Sequence, residues 1–211
     1  RAAERGHLKI VELLLERGAD PNALSGFDES AVAAALEGPN PEIVKLLLAK
    51  GARYDQVNKR GETQLHIAAK RGALKAAAFL LEKGASVHAA DNYDLTPLLV
   101  ASGAGKTRDD LAMVQLLLQH GADPKARGGT KATALHEASM QSGAHPGLLE
   151  LLIAKGVDVN AQQATGTTPL MRASFHGNER NVKVLLDRKA DPNLEDSQGR
   201  TALDIAAERD H

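Results

Sequence analysis

The 211 residues include no cysteine and no tryptophan, and only five aromatic side chains, Phe27, Tyr54, Phe79, Tyr93 and Phe175. Without cysteine there is no disulfide scaffold and no thiolate zinc site. No apolar run approaches the roughly 18 residues of a membrane span, and no basic-then-apolar secretory leader opens the chain. Charge of one sign is also lacking: 26 basic residues against 27 acidic leave a net charge of −1, so no global field draws the chain to nucleic acid or an anionic membrane. A nucleophile turn of the Gly-x-Ser-x-Gly kind and a His-Glu-x-x-His pair are both missing. These absences predict a non-catalytic, soluble, monomeric and cytoplasmic chain with no cofactor, metal, nucleotide, nucleic-acid or membrane partner. The lack of cysteine also suits an oxidising compartment, which keeps export or a periplasmic setting as the alternative.

What the sequence has instead is repetition. Thr63-Gln64-Leu65-His66-Ile67-Ala68-Ala69, followed by Leu80-Leu81-Glu82-Lys83-Gly84-Ala85, recurs along the chain. Its first anchor falls at Ser30, Thr63, Thr96, Thr133, Thr168 and Thr201, spaced 33, 33, 37, 35 and 33 residues. A second anchor, at Gly18, Gly51, Gly84, Gly121, Gly156 and Lys189, has the same five spacings. A period near 33 means one supersecondary unit copied and stacked, each copy burying its apolar face on its neighbours. The predicted units are 24–57, 58–90, 91–127, 128–162 and 163–195, with partial units at 1–23 and 196–211, in a single domain. Function in such an array is expected on a surface and not in a deep pocket.

Within the third unit, Thr63 stands where a helix N-cap is wanted, its hydroxyl able to accept from an orphan backbone N–H. Pro97 and Pro169 follow the corresponding threonines, at the first helical position where a missing N–H costs nothing. Leu65, Ile67, Ala68 and Ala69 make a narrow apolar face, and Gly72 ends this short helix. A second helix places Leu74, Ala77, Phe79, Leu80 and Leu81 inward and Lys75, Glu82 and Lys83 outward. Gly84 supplies the left-handed residue that closes it, and the polar stretch from Ser86 to Asn92 is too short and turn-rich for a third helix.

These motifs resemble the ankyrin repeat family, most closely in Leu13-Leu14-Leu15-Glu16-Arg17-Gly18-Ala19-Asp20-Pro21-Asn22-Ala23, Ala134-Leu135-His136-Glu137-Ala138 and Thr168-Pro169-Leu170. The resemblance covers essentially the whole chain. It implies an all-α repeat fold, a curved solenoid of antiparallel helix pairs joined by projecting β-hairpin loops, with hairpin tips and first helices lining a concave face. It also implies binding of other proteins without catalysis, and histidines at His66 and His136 that hydrogen-bond between neighbouring turns.

Several positions depart from the motif. In the second unit Ser30-Ala31-Val32-Ala33 lacks proline and histidine, and Pro39 replaces the helix-ending glycine, so its first helix is predicted to be the least regular. Lys189 takes the left-handed closing position at a cost of roughly 1 kcal/mol. The two long spacings put extra residues between paired helices, at Gly103 to Asp110 and Gln141 to Gly147, which predicts one local protrusion on the rim. Ala104-Gly105-Lys106-Thr107 has the ending of a phosphate-binding loop, but the required glycine five residues earlier is Val100, on a predicted helix with no strand before it. His7, His88, His120 and His145 have no ligand partner in register. Both chain ends are expected to fall inside helices, which leads us to expect further residues beyond them, since arrays need polar terminal caps.

Alignment of the units isolates hairpin-tip and first-helix positions that stacking does not require. The candidate partner-binding residues there are Phe27, Lys59, Arg60, Lys70, Arg71, Tyr93, Leu95, Met140, Phe175 and His176. Phe79 fills space beside Ala76 and Ala77, and Tyr54 packs at a hairpin base. Phe27, Tyr93 and Phe175 have no such duty, and exposed aromatics dominate interface energetics. Tyr93, Leu95, Met140 and Phe175 predict an apolar strip over units four to six. Lys59, Arg60, Lys70 and Arg71 concentrate positive charge beside it, suited to an acidic patch on a folded partner. The predicted function is a protein-binding module that regulates or inhibits a partner enzyme; the alternative is a structural spacer in a larger multidomain protein.

Overall fold

A hydroxyl ahead of an apolar run starts the first helix of each unit, and a left-handed residue follows the second. A computed structural model describes residues 1–25, 30–104, 110–141 and 147–209. Among the described residues there are twelve helices: α1 (Leu8–Glu16), α2 (Ala31–Glu37), α3 (Glu42–Ala49), α4 (Gln64–Arg71), α5 (Leu74–Glu82), α6 (Pro97–Ala104), α7 (Asp110–Gln119), α8 (Ala134–Ser139), α9 (Gly147–Ala154), α10 (Pro169–Phe175), α11 (Glu179–Asp187) and α12 (Ala202–Ala207). The even-numbered helices pack against one another in chain order, and so do the odd-numbered ones. The result is an all-α repeat solenoid of two helical rows, with its core in the seam between them. Leu65, Leu80, Leu98, Leu117, Leu135 and Leu152 are completely or almost completely buried there.

The capping chemistry follows the sequence. The side-chain oxygens of Ser30, Thr63, Thr168 and Thr201 accept from the backbone N–H groups of Ala33, His66, Met171 and Asp204, each three residues on. Gly72 takes the left-handed conformation after α4. The second helices close on Gly18, Gly51, Gly84, Gly121 and Gly156 at φ between +82° and +89°, and on Lys189 at +68°. The departure in the second unit's first helix is confined to its C-terminal end, beside Pro39. Helix α2 is a regular seven-residue helix, but its C-cap Gly38 is extended, with φ −86° and ψ 164°. A Cβ on Gly38 would stand 2.6 Å from the carbonyl oxygen of Glu4 and 2.7 Å from that of Ala3, so the preceding unit's backbone occupies the space a side chain would need. Tyr54 packs against the core, partly buried. Phe79 differs from expectation: it is half-buried and outside the core, with the Lys83 ammonium 5.4 Å from its ring centroid.

The loops between units form tight turns and not extended strands: among the described residues, only isolated bridges join Leu24 to Ser30 and Arg127 to Thr133. In each of the five turns described in full, the first residue donates its N–H to the carbonyl four residues on: Asn58 to Glu62, Asp91 to Leu95, Gly128 to Ala132, Gln163 to Thr167 and Asp196 to Arg200. The tip residue two places before the threonine is left-handed each time, at Gly61, Asp94, Lys131, Gly166 and Gly199. Successive turns are then tied by backbone bonds, from the N–H of Asn92 to Arg60 O, Gly129 to Tyr93 O, Ala164 to Thr130 O and Ser197 to Thr165 O, all within 2.8–2.9 Å. Of the two long inter-helix loops, 105–109 and 142–146 lie outside the described residues, so the expected protrusion and the whole Gly105-Lys106-Thr107 segment do too. Val100 sits on α6, as the sequence predicts.

Candidate recognition surface

The histidines of the repeat are structural. His66 and His136 are fully buried. In each ring Nδ1 accepts from the threonine three residues earlier, Thr63 N–H or Thr133 N–H at 3.1 Å, which leaves Nε2–H to donate across to the next unit. Its acceptors are the carbonyls of Leu95, at 2.9 Å, and Thr167, at 3.0 Å. Burial pushes the His66 imidazole below its ordinary value and takes His136 down to about 4. Both rings are therefore neutral hydrogen-bond bridges, held in one tautomer by their partners on both sides.

The turn tips and the outer flank of the first helices carry the candidate residues. Lys59, Arg60 and Arg71 are exposed. Lys70 is committed to its own unit, with its ammonium 3.2 Å from Glu62 Oε1, while Asn58 Nδ2 donates to Glu62 Oε2 at 2.7 Å. Burial works against the Glu62 charge, but the bonds from Asn58 and Lys70 outweigh it and hold the carboxyl below its usual value. One carboxylate is thus set into the basic cluster. Tyr93 is 64% exposed, and Leu95 is partly buried against the core. Phe175 is 40% exposed. The Arg209 guanidinium lies 3.8 Å from its ring centroid and the His176 ring meets it edge-on at 5.1 Å, so Phe175 also anchors the end of α12. Phe27 lies outside the described residues.

Several of these side chains, though not Lys59 or Arg71, border two hollows. The first, about 360 Å³, is lined by Arg60, Tyr93, Leu95, Leu99, Gly103 and Glu137 among others. The second, about 300 Å³, is lined by Met140, Met171, Arg172, Phe175, His176 and Ile205 among others. The expected apolar strip is accordingly divided. Between Tyr93 and Leu95 on one side and Met140 and Phe175 on the other stands a polar pair, Glu137 and Arg172, whose Oε1 and Nη1 are 3.6 Å apart. Arg172 makes its shorter contacts elsewhere, donating to Met140 Sδ at 2.6 Å and to Gln163 Oε1 at 2.8 Å. Burial pushes the Glu137 carboxyl above its ordinary value, and the Arg172 charge offsets this only in part.

Glu137 and Arg172 are absent from the sequence-derived set, although the alignment holds their signal. Four residues after the anchor threonine, successive units read Ile67, Val100, Glu137, Arg172 and Ile205. Opposite charges in adjacent units of an otherwise apolar register mark a pair across the stack. Three residues further on, the register reads Lys70, Gly103, Met140 and Phe175, so the fourth unit alone among these has no side chain there.

Among the described residues, no three histidine, aspartate or glutamate side chains converge in a metal-holding arrangement, and no helix is long and apolar enough to cross a membrane. Similarity to known proteins follows the repeat. The chain is 44% identical over 95 residues to Protein PhlB of Serratia liquefaciens, covering 44% of this chain and 41% of that protein. It is 34% identical over 116 residues to the E3 ubiquitin-protein ligase KEG of Arabidopsis thaliana, covering 54% of this chain and 7% of the ligase. Protein phosphatase 1 regulatory subunit 12A of Mus musculus is 38% identical over 76 residues, 36% of this chain and 7% of that subunit. In each case the match spans less than half the relative's length. The model of ankyrin repeats in three copies matches residues 1–91, 30–128 and 135–211. With the capped helix pairs, the left-handed closers and the inter-unit histidine bridges, this places the chain in the ankyrin repeat family.

Proposed function

We propose that this chain is a non-catalytic module that binds a folded partner protein across the turn tips and first helices of units three to six, the face expected to be concave. Ankyrin repeats are protein–protein interaction modules, and the family is generally non-catalytic. The observation that carries the more specific reading is the position of Tyr93. It is a large side chain left 64% exposed at the mouth of a hollow, in a chain with only five aromatics. An aromatic in that setting offers a partner substantial apolar area at low entropic cost. Arg60 on the rim of the same hollow, exposed and cationic, suits an acidic patch on the partner and favours rapid encounter. Regulation of a partner enzyme agrees with the presence of a phosphatase regulatory subunit among the relatives.

The test is capture from the native source with quantitative mass spectrometry, comparing wild type with Tyr93→Ala combined with Phe175→Ala. Proteins enriched by wild type should be lost from the double variant, while its helical circular dichroism stays unchanged. Because Phe175 also supports α12, Tyr93→Ala alone serves as the second arm and should weaken capture at least tenfold. Equal capture by all three forms would refute the proposal.

A further inference from the structure

The geometry points to the hollow between Tyr93 and Glu137 as a receptor for one long basic side chain, lysine or arginine, presented by the partner. This deepens the protein-binding reading and rests on it. The hollow exists because Gly103 stands where neighbouring units carry Lys70 and Met140. A Cβ placed on Gly103 would be 3.4 Å from both Cβ and Oε2 of Glu137, so the glycine leaves that carboxylate oxygen uncovered on this side. Tyr93, Leu95, Leu99 and Val100 provide the apolar part of the lining, matching the methylene stem of a lysine or arginine.

The charges around the hollow are unequal in their commitments. Glu62 is held by Lys70 and Asn58. Asp91 accepts from the N–H groups of Tyr93 and Leu95 at 2.8 and 2.9 Å. Among the described residues, the cation nearest Glu137 is Arg172 at 3.6 Å, whose shorter contacts are to Met140 and Gln163. Lys70 is neutralised by Glu62, and the exposed Arg60 on the rim is a cation that opposes entry. Among the described residues, this largely buried carboxylate at the end of an apolar slot is short of a donor, and burial has already raised the energy of its charged form. An incoming ammonium or guanidinium supplies that donor while its stem covers apolar surface.

The test needs no knowledge of the partner. The assigned ¹⁵N-labelled chain is titrated with n-butylguanidinium and n-butylammonium, with n-butylurea as the neutral control of similar shape. Both cations should shift the amides of Leu95, Gly103 and Glu137 at millimolar concentration, at least fivefold more tightly than the urea. Glu137→Gln should remove that preference and leave the response to n-butylurea unchanged. Equal response to cations and urea in the wild type, or an undiminished preference in Glu137→Gln, overturns the assignment. A chain that captures partners through Tyr93 yet ignores the cations refutes the basic-side-chain receptor alone. If the cations bind but capture survives in the Tyr93→Ala and Phe175→Ala forms, the broader binding face is refuted instead.

Discussion

The buried histidines make stability depend on pH in a way that can be worked from the structure. His136 has an ordinary value of 6.5 and is held at about 4 in the fold, by burial first of all. Between those values the unfolded chain binds a proton that the folded chain does not, so stability falls as pH falls. The full slope is about 1.4 kcal/mol per pH unit, and from pH 7 to pH 5 this one residue removes about 2 kcal/mol. His66, also shifted down by burial, acts in the same direction. Carboxyls held low, such as Glu62 and Asp196, contribute stability that is lost only further into acid. Glu137, held high by burial, acts in the opposite sense and gains as pH falls through its raised value. Urea unfolding followed by circular dichroism at pH 7 and pH 5 isolates His136 when wild type is compared with His136→Gln. The variant should be less stable at pH 7, having lost the bridge to Thr167, but its further loss on going to pH 5 should be smaller by about 2 kcal/mol. Identical losses in the two proteins would refute the assignment of a neutral, buried bridge.

Two backbone predictions follow from the ends of helices. Lys189→Gly should raise stability by about 0.5–1 kcal/mol, because a side chain at φ +68° is replaced by the residue used at all five equivalent positions; an unchanged or lowered melting temperature would count against strain there. Gly38→Ala should destabilise by about 1–3 kcal/mol, since the new methyl meets the carbonyl oxygens of Ala3 and Glu4. The same substitution would be nearly neutral if the first unit could move away at no cost, and thermal melting distinguishes the two.

Local chemistry made most of the fold legible. Threonine caps, closing glycines and the leucine pattern each act within a few residues, so a single unit already contains the information. The role of His66 came with the family resemblance and not from its own neighbourhood; the structure pairs it with Thr63, three residues away, and with the Leu95 carbonyl of the next unit. Other features depend on which side chains meet across units. Gly38 shows no unusual dihedral to announce itself, and its constraint comes from the backbone of Ala3 and Glu4, a full unit earlier. The left-handed tips at Asp94 and Lys131 are disguised by side chains where Gly61, Gly166 and Gly199 declare the same geometry. On the candidate surface, Tyr93 and Phe175 look equivalent in sequence, and only the position of Arg209 separates a tyrosine at the mouth of a hollow from a phenylalanine already stacked on a guanidinium. The Glu137–Arg172 pair required reading one register down the stack instead of one motif along the chain.

The backbone bonds that join successive turns make no use of the tip side chains. Arg60, Tyr93, Thr130 and Thr165 share one role in those bonds, each offering a backbone carbonyl to the turn that follows. A carbonyl is common to every residue type, so the scaffold tolerates basic, aromatic or hydroxyl identities at this site without altering its tether. On the proposed binding face, recognition could therefore drift or be re-engineered one tip at a time while the register of the array is inherited unchanged.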